Sequence, residues 1–232
     1  MISREYKCIY IHIPKCGGTS IQEKFLVNQT KSQLLLGKNK DPKKGPPRLN
    51  HLMASEYVSK KHISQEDFSS YFKFTFVRNP WARVFSMYKY LGYSQFADFD
   101  TFVTKIFKKE LWDNSKWFWF VRPQYDFIHD SHGNMMVDYV GRTEVLNEDF
   151  KKVCQKIGLE DNILSHINKS SEKSRYNILY MKTLFSNPYR IFKYRHGEDD
   201  KVKDHRDYYT NNTIEIIYDF YRIDIETFGY SF

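Results

Sequence analysis

The chain has 232 residues, and its 36 lysines and arginines outnumber its 28 aspartates and glutamates, which gives a formal net charge of +8. Phe, Tyr and Trp make up 18% of the sequence, a content that excludes an intrinsically disordered chain and predicts one domain with a well-filled core. The positive charge favours an anionic partner, which leaves nucleic acid, a nucleotide, a membrane surface and an acidic glycan open.

The three cysteines, Cys8, Cys16 and Cys154, include no C-x-x-C pair. A sparse, odd set of this kind indicates free thiols in a reducing compartment rather than a disulfide framework. The sequence shows no signal-peptide pattern and no apolar run near 18 residues, so we expect no membrane span and a cytoplasmic location. No group of His, Cys, Asp and Glu has metal-ligand spacing, and we expect no metal cofactor.

Residues 6–20, YKCIYIHIPKCGGTS, predict a strand, a tight turn and the start of a helix over about residues 19–28. Gly17 and Gly18 let the backbone approach a ligand closely, and Lys15 adds a full positive charge to the partial charge of a helix N-terminus. The turn is therefore expected to hold a phosphate-like anion. The match to a P-loop is partial, because the P-loop lysine follows the last glycine whereas Lys15 precedes both, and an ordinary strand-to-helix turn is the alternative.

A stretch rich in lysine, glycine and proline follows over residues 37–48, GKNKDPKKGPPR, and predicts a solvated basic loop without regular structure, with a mobile basic flap as the alternative. Helices are then predicted over residues 54–62 and from residue 64.

Residues 71–77, YFKFTFV, predict a second buried strand. It ends at Arg78, after which Asn79 is expected to cap a helix over residues 80–91 that starts with Pro80. Helical spacing turns Trp81, Phe85 and Tyr88 inward and places Arg83 and Ser86 on another face.

The rest of the chain predicts mostly helices. One is expected over residues 96–112, and the aromatic cluster WFWF at 117–120 is expected in the core, with a sugar-stacking platform as the alternative. Residues 123–130 and 135–140 flank the turn HGN and predict a hairpin. Asn147 is predicted to cap a helix over 148–157 that Gly158 ends.

Near the C-terminus, residues 165–174 predict a loop and residues 176–206 an exposed insertion. A capping-box-like pair, Asn212 and Glu215, predicts the start of a final helix that runs to about residue 228.

Two strand–turn–helix units predict a P-loop-like three-layer α/β/α fold with a short central parallel sheet, in a single domain spanning 1–232. Open parallel sheets bind ligands at the carboxyl ends of their strands, so each junction is a candidate anion site. The first offers Lys15, Thr19 and Ser20, and the second offers Arg78 and Ser86. Two anion sites fit a nucleotide that is phosphorylated at both ends.

The segments HIPKCGGTSI and FVRNPWARVFSMY resemble the 5′-phosphosulfate and 3′-phosphate motifs of sulfotransferases that use 3′-phosphoadenosine 5′-phosphosulfate (PAPS). NHLMASEY, VDYVGRTEVLNEDF, HINKS and DIETFGYSF resemble the carbohydrate branch of that family, which includes chondroitin and heparan sulfate sulfotransferases and small bacterial relatives. The resemblance extends over most of the chain and is poor in residues 37–48 and 176–206.

The resemblance implies a role for each matching position. Lys15 would hold the 5′-phosphosulfate and stabilise charge on the bridging oxygen, and Arg78 with Ser86 would bind the 3′-phosphate. It implies PAPS as donor, 3′-phosphoadenosine 5′-phosphate (PAP) as product, no metal and no nucleic acid. The expected acceptor is a hydroxyl of a saccharide or glycoconjugate, with a lipid-linked or small-molecule alcohol equally open. The further donor-binding positions implied are Cys16, Gly17, Gly18, Thr19, Ser20, Arg142, Lys169 and Ser170.

Transfer to a hydroxyl needs a general base. His51 lies where the heparan 2-O type of enzyme has its catalytic histidine, and the resemblance implies that role for it. The residues alone favour a structural role for His51, because it lies beside apolar neighbours. His129 and His132 are the other candidates, and His12, inside the first strand, is predicted to be a buried packing residue.

Two other function classes remain open at this point. An ATP-dependent P-loop kinase predicts a lysine after the glycines and a downstream Asp for Mg²⁺, neither of which is evident. A nucleic-acid-binding protein rests on charge and aromatic content alone and predicts an affinity that falls steeply with salt.

Overall fold

The computed structural model describes residues 1–27, 32–33, 35, 38–95, 97–160, 164 and 204–232. This part of the chain divides into two compact units, the first made of Met1–Arg78 and Arg122–His166 and the second of Asn79–Val121 and Ile167–Phe232. The loop predicted over 165–174 and all but the last three residues of the insertion predicted over 176–206 lie outside the described residues. The prediction of a single domain stays a prediction.

The helices in chain order are α1 (Gly18–Val27), α2 (Ala54–Ser59), α3 (Gln65–Ser70), α4 (Pro80–Tyr90), α5 (Phe99–Thr101), α6 (Phe118–Val121), α7 (Gln124–Ile128), α8 (Leu146–Ile157) and α9 (Asn211–Phe228). A wide, π-type helix over Phe102–Trp112 continues α5. Short 3-10 turns cover Pro42–Lys44, within the basic loop, and Leu49–His51. Within the described residues, no helix is both long enough and apolar enough to span a bilayer.

The first unit contains a sheet of five strands, β1 (Ile2–Ser3), β2 (Cys8–Ile11), β3 (Ser32–Gln33), β4 (Phe72–Val77) and β5 (Tyr139–Arg142), in the order β3-β1-β2-β4-β5. β4 pairs in parallel with β2 and β5, and its residue Thr75 lies opposite Ile11 on one side and Val140 on the other. This confirms the short central parallel sheet. The two-residue strands β1 and β3 add an antiparallel edge that the sequence pattern did not indicate.

Helices cover both faces of this sheet. On one face α1 and α8 pack against the strands, and Tyr10 stacks on Phe74 with ring centroids 5.2 Å apart. Lys73 points to the opposite face because side chains alternate along a strand, and its ammonium lies 5.6 Å from the Phe68 ring of α3. The first unit therefore has the three layers of the predicted α/β/α fold. Its buried cluster is made of Met1, Cys8, Tyr10, Ile21, Phe25, Phe74, Phe76, Phe150, Val153, Cys154, Leu159 and Leu164.

The second unit is an aromatic core formed by α4, the π-type helix and α9. Trp81 and Tyr88 are buried in it as predicted, whereas Phe85 is half-buried. Phe120 is buried in the same core, and Trp117, Phe118 and Trp119 pack against it, so the core interpretation of the cluster at 117–120 is confirmed.

Cysteine and tryptophan are segregated between the units. All three cysteines lie in the first unit, where they are buried and unpaired with one another. All four tryptophans, Trp81, Trp112, Trp117 and Trp119, lie in the second unit.

The hairpin predicted around residues 132–134 is wrong. Residues 124–128 form α7 instead, and among the described residues of this segment only His129 and Met135 make an antiparallel bridge. The turn itself is present, because the Asp130 carboxylate accepts the N–H groups of His132 and Asn134 at 2.9 and 2.8 Å. The hairpin does not extend beyond this bridge, because the strand that follows, β5, pairs in parallel with β4.

Two predicted helix caps also differ. α8 follows a 3-10 turn at Thr143–Val145 and is capped by Val145, so Asn147 lies inside the helix, while Gly158, with φ of 72°, ends it as predicted. α9 is capped by Thr210 rather than Asn212, because the Thr210 and Thr213 hydroxyls accept each other's backbone N–H groups at 3.3 and 2.9 Å. Asn79 caps α4 as predicted and accepts the N–H of Trp81 at 3.0 Å.

Candidate active site

The turn between β2 and α1 has the form that the sequence predicts. Lys15 and Gly17 take left-handed backbone conformations with φ of 68° and 74°, and the Cys16 N–H donates to the Ile13 carbonyl at 3.4 Å. α1 begins at Gly18, so the N–H groups of Gly18, Thr19 and Ser20 belong to a first helical turn that has no earlier carbonyls to bond. These donors, the partial positive charge of the helix start and the half-buried Lys15 together favour an anion here.

Gly18 is required by a close contact inside the protein. A Cβ at this position would lie 1.8 Å from Nε2 of His12, so only glycine lets the His12 ring pack against the start of α1. The turn therefore packs directly against His12, the residue that follows β2.

His12 belongs to a buried polar cluster with Asn50 and His51. Nδ1 of His51 lies 2.9 Å from the His12 carbonyl, and because a carbonyl only accepts, Nδ1 carries the proton. The Asn50 amide nitrogen lies 3.2 Å from Nε2 of His51 and 3.3 Å from Nδ1 of His12, and donates to both. In this tautomer the basic atom of His51 is Nε2.

His12 is confirmed as a buried residue, 6% exposed, and its ring stacks on Tyr10. Burial, then His51, the Met1 ammonium and Lys15, lower the pKa of His12 well below its usual 6.5. The ring therefore stays neutral at physiological pH and can accept the Asn50 hydrogen bond.

Arg78 follows the last residue of β4 and is half-buried. Its Nη1 donates to the carbonyl of Lys15 at 3.3 Å. The ends of two neighbouring parallel strands, each carrying one of the predicted cationic residues, are thus joined by a direct hydrogen bond.

Gln124 is a site residue that sequence reasoning missed. It is fully buried at the start of α7, and its Nε2 donates to the Arg78 carbonyl at 2.8 Å. Its Oε1 accepts the Arg78 N–H at 2.8 Å and the Cys16 thiol at 3.2 Å. No local signal in the sequence marks it, since its partners lie 46 and 108 residues earlier in the chain.

Arg142 ends β5, opposite Val77, with an exposed side chain. Its backbone N–H donates to the Asp149 carboxylate at 2.7 Å, which Tyr139 and Lys152 also contact. Burial alone would raise the pKa of Asp149, but these hydrogen bonds outweigh it and lower that pKa. The Arg142 backbone is thereby fixed at the end of its strand.

The remaining predicted site residues are not brought to this turn by the described contacts. Ser86 lies half-buried on α4 in the second unit, and Lys169 and Ser170 lie outside the described residues. His129 stacks on Tyr125 at 3.6 Å and bonds its carbonyl, and His132 is exposed in a turn. Of the three candidate bases, His51 is the one bonded to the segment that leads into the turn.

Open parallel sheets bind ligands outside the carboxyl ends of their strands, and this sheet has Lys15 and Arg78 there. A sequence model of the Sulfotransferase family matches residues 1–231, and the chain therefore belongs to the sulfotransferase family and is a transferase of sulfuryl groups.

An uncharacterized protein of Archaeoglobus fulgidus is similar to this chain, with 31% identity over 123 residues that cover 53% of this chain and 98% of that protein. No solved structure matches the chain.

Proposed function

We propose that this protein is a PAPS-dependent sulfotransferase that moves a sulfuryl group to a hydroxyl of a saccharide or glycoconjugate. The observation that carries the proposal is the hydrogen bond of 3.3 Å from Arg78 to the Lys15 carbonyl. It holds two cationic strand ends side by side, as a donor with a 5′-phosphosulfate and a 3′-phosphate requires.

The donor set fits such a molecule. Backbone N–H groups at the start of α1 and the ammonium of Lys15 suit a phosphosulfate, and a guanidinium suits a phosphate because its planar fork can bind two oxygens. PAPS, when bound, supplies an activated sulfuryl group on an anionic leaving group. Lys15 stabilises the charge that develops there, an effect that is strongest in a site preorganised for it. Ser86, Arg142, Lys169 and Ser170 are assigned to the donor by the resemblance alone.

His51 is proposed as the general base. The His12 carbonyl fixes the ring by holding the proton on Nδ1, which leaves the lone pair of Nε2 to take a proton from the acceptor hydroxyl. In the structure Asn50 donates to Nε2, so we propose that the acceptor hydroxyl replaces the Asn50 amide at this atom.

The saccharide acceptor and the carbohydrate branch of small bacterial members are proposed from the resemblance, and the net charge of +8 is compatible with an acidic glycan. The three buried cysteines, which form no disulfide with one another, support a cytoplasmic location. An ATP-dependent kinase is the less favoured alternative, because Lys15 precedes the two glycines.

A thermal-shift measurement tests the donor. PAP at 100-fold excess over its Kd should raise the Tm by about 5–10 °C. ADP and ATP should raise it much less, because neither carries a 3′-phosphate. Equal shifts for the three nucleotides would overturn the proposal.

The same preparation tests the base. His51→Ala should keep the PAP shift and lose turnover of PAPS with an acceptor found by screening hydroxylated compounds. His129→Ala and His132→Ala are the matched comparisons and should keep activity. A fully active His51→Ala variant would assign the base elsewhere.

A further inference from the structure

Gln124 binds both of the segments that the proposed donor site needs. Its Nε2 donates to the Arg78 carbonyl and its Oε1 accepts the Arg78 N–H, each at 2.8 Å, and Oε1 also accepts the Cys16 thiol in the turn. Its side chain is fully buried, although an uncompensated buried amide is costly. Because the buried amide makes all of these hydrogen bonds, it fixes Arg78 and Cys16 in one arrangement.

The position of Gln124 in the sheet explains its contact with Arg78. The pairing of β4 ends at Thr75 against β2 and at Val77 against β5, so Arg78 lies beyond the paired part of its strand. Gln124 supplies the donor and the acceptor that a strand would supply. The chain direction at Arg78 is therefore set by a side chain from α7 rather than by the sheet.

These contacts form a closed ring of hydrogen bonds. It runs from the Lys15 carbonyl to the Arg78 guanidinium, through the Arg78 peptide to Gln124, and from Gln124 to the Cys16 thiol beside Lys15. All four residues belong to the first unit. The ring leaves the turn and the strand end little freedom to move apart.

We propose that Gln124 is a positioning residue that sets the spacing between the two phosphate-holding segments and so makes the site selective for a nucleotide with phosphate at both ends. This inference rests on the donor site proposed above. It predicts that the loss of Gln124 harms a ligand that spans both segments more than a ligand that uses one.

Calorimetric titration with PAP and with adenosine 5′-monophosphate tests this directly, since neither needs an acceptor. Gln124→Met keeps the side-chain length and removes its hydrogen bonds. It should weaken PAP binding about 10-fold and binding of the monophosphate less than about 3-fold. The lost hydrogen bonds position Arg78 for the 3′-phosphate, which PAP has and the monophosphate lacks. Tyr57→Phe, which removes a buried hydroxyl bonded to the Tyr10 carbonyl at 3.2 Å, is the control and should leave both affinities unchanged.

Equal weakening of the two ligands, or a PAP affinity unchanged within about twofold, would overturn the inference while the proposed function stands. A wild-type protein that binds PAP no better than the monophosphate would instead overturn the proposed function and, with it, this inference. If circular dichroism shows that Gln124→Met does not fold, Gln124→Asn gives the same comparison, because its amide is polar but one methylene too short to reach Arg78.

Discussion

Buried polar side chains have different partners in the two units. In the first unit Asn50 and His51 bond each other and His12, just beyond β2, and Gln124 bonds the backbone of Arg78, just beyond β4. In the second unit the Tyr88 and Tyr221 hydroxyls each donate to a backbone carbonyl at 2.6 Å within the aromatic core. Both sets satisfy buried polar groups, as stability requires. Burial of a polar group is therefore a weak sign of function, and convergence of several such groups on one strand end is a stronger one.

Two arginines, Arg78 and Arg83, show the same difference between the units. Arg78 in the first unit is half-buried and reaches the Lys15 carbonyl in the turn. Arg83 in the second unit is fully buried, donates to the Phe120 carbonyl at 3.3 Å and lies 5.7 Å from the Tyr221 ring. The first is proposed to bind the donor, and the second is packed in the core.

The largest effect is expected from Lys15→Ala. Loss of the cation should lower the rate of sulfuryl transfer about 100- to 1000-fold, as for other groups that stabilise transition-state charge. Lys61→Ala is a matched control, because Lys61 is also a lysine in the left-handed conformation, with φ of 60°, and is exposed. Both variants place an alanine at positive φ, so any effect of the backbone conformation is common to both. A similar loss of activity in both variants would contradict the proposed role of the Lys15 side chain.

A smaller effect, on the free energy of unfolding, is expected when the pH is lowered. The folded state holds the pKa of His12 well below 6.5, mainly through burial and then through His51, the Met1 ammonium and Lys15. Below about pH 6.5 the unfolded chain gains a proton on His12 that the folded chain does not, and stability falls by up to about 1.4 kcal/mol per pH unit. Urea unfolding of wild type and His12→Asn between pH 7.5 and 5 measures this. The variant should lose less stability on acidification, and parallel curves would exclude His12 as the source.

The smallest effect is expected in the second unit. Tyr221→Phe removes the hydroxyl that donates to the Val121 carbonyl and should lower the free energy of unfolding by about 1 kcal/mol. PAP affinity should not change, because Tyr221 serves the aromatic core. A clear loss of PAP affinity in a folded Tyr221→Phe variant would contradict the view that the buried polar groups of the second unit serve stability alone.

Local patterns predicted the parts of the site that are local. The turn at Lys15, the strand that ends at Arg78 and the cap at Asn79 each follow from a few adjacent residues. The sequence patterns did not predict the roles of Asn50 and Gln124, because the contacts of these residues depend on how distant segments pack.

The errors have the same origin. The hairpin at 123–140 failed because the second segment found its partner in β4, which the local turn signal does not specify. The cap of α9 was misplaced by two residues because Asn212 is a good capping residue locally, whereas Thr210 and Thr213 form the reciprocal pair.

The segregation of cysteine and tryptophan gives each unit its own unfolding probe. A thiol-reactive dye can reach Cys8, Cys16 and Cys154 only when the first unit opens, and tryptophan fluorescence reports on the second unit alone. Recording both signals in one denaturant titration separates the stability of the two halves without any mutation. Coincident midpoints would support the predicted single domain, and distinct midpoints would show that the first unit unfolds independently of the second.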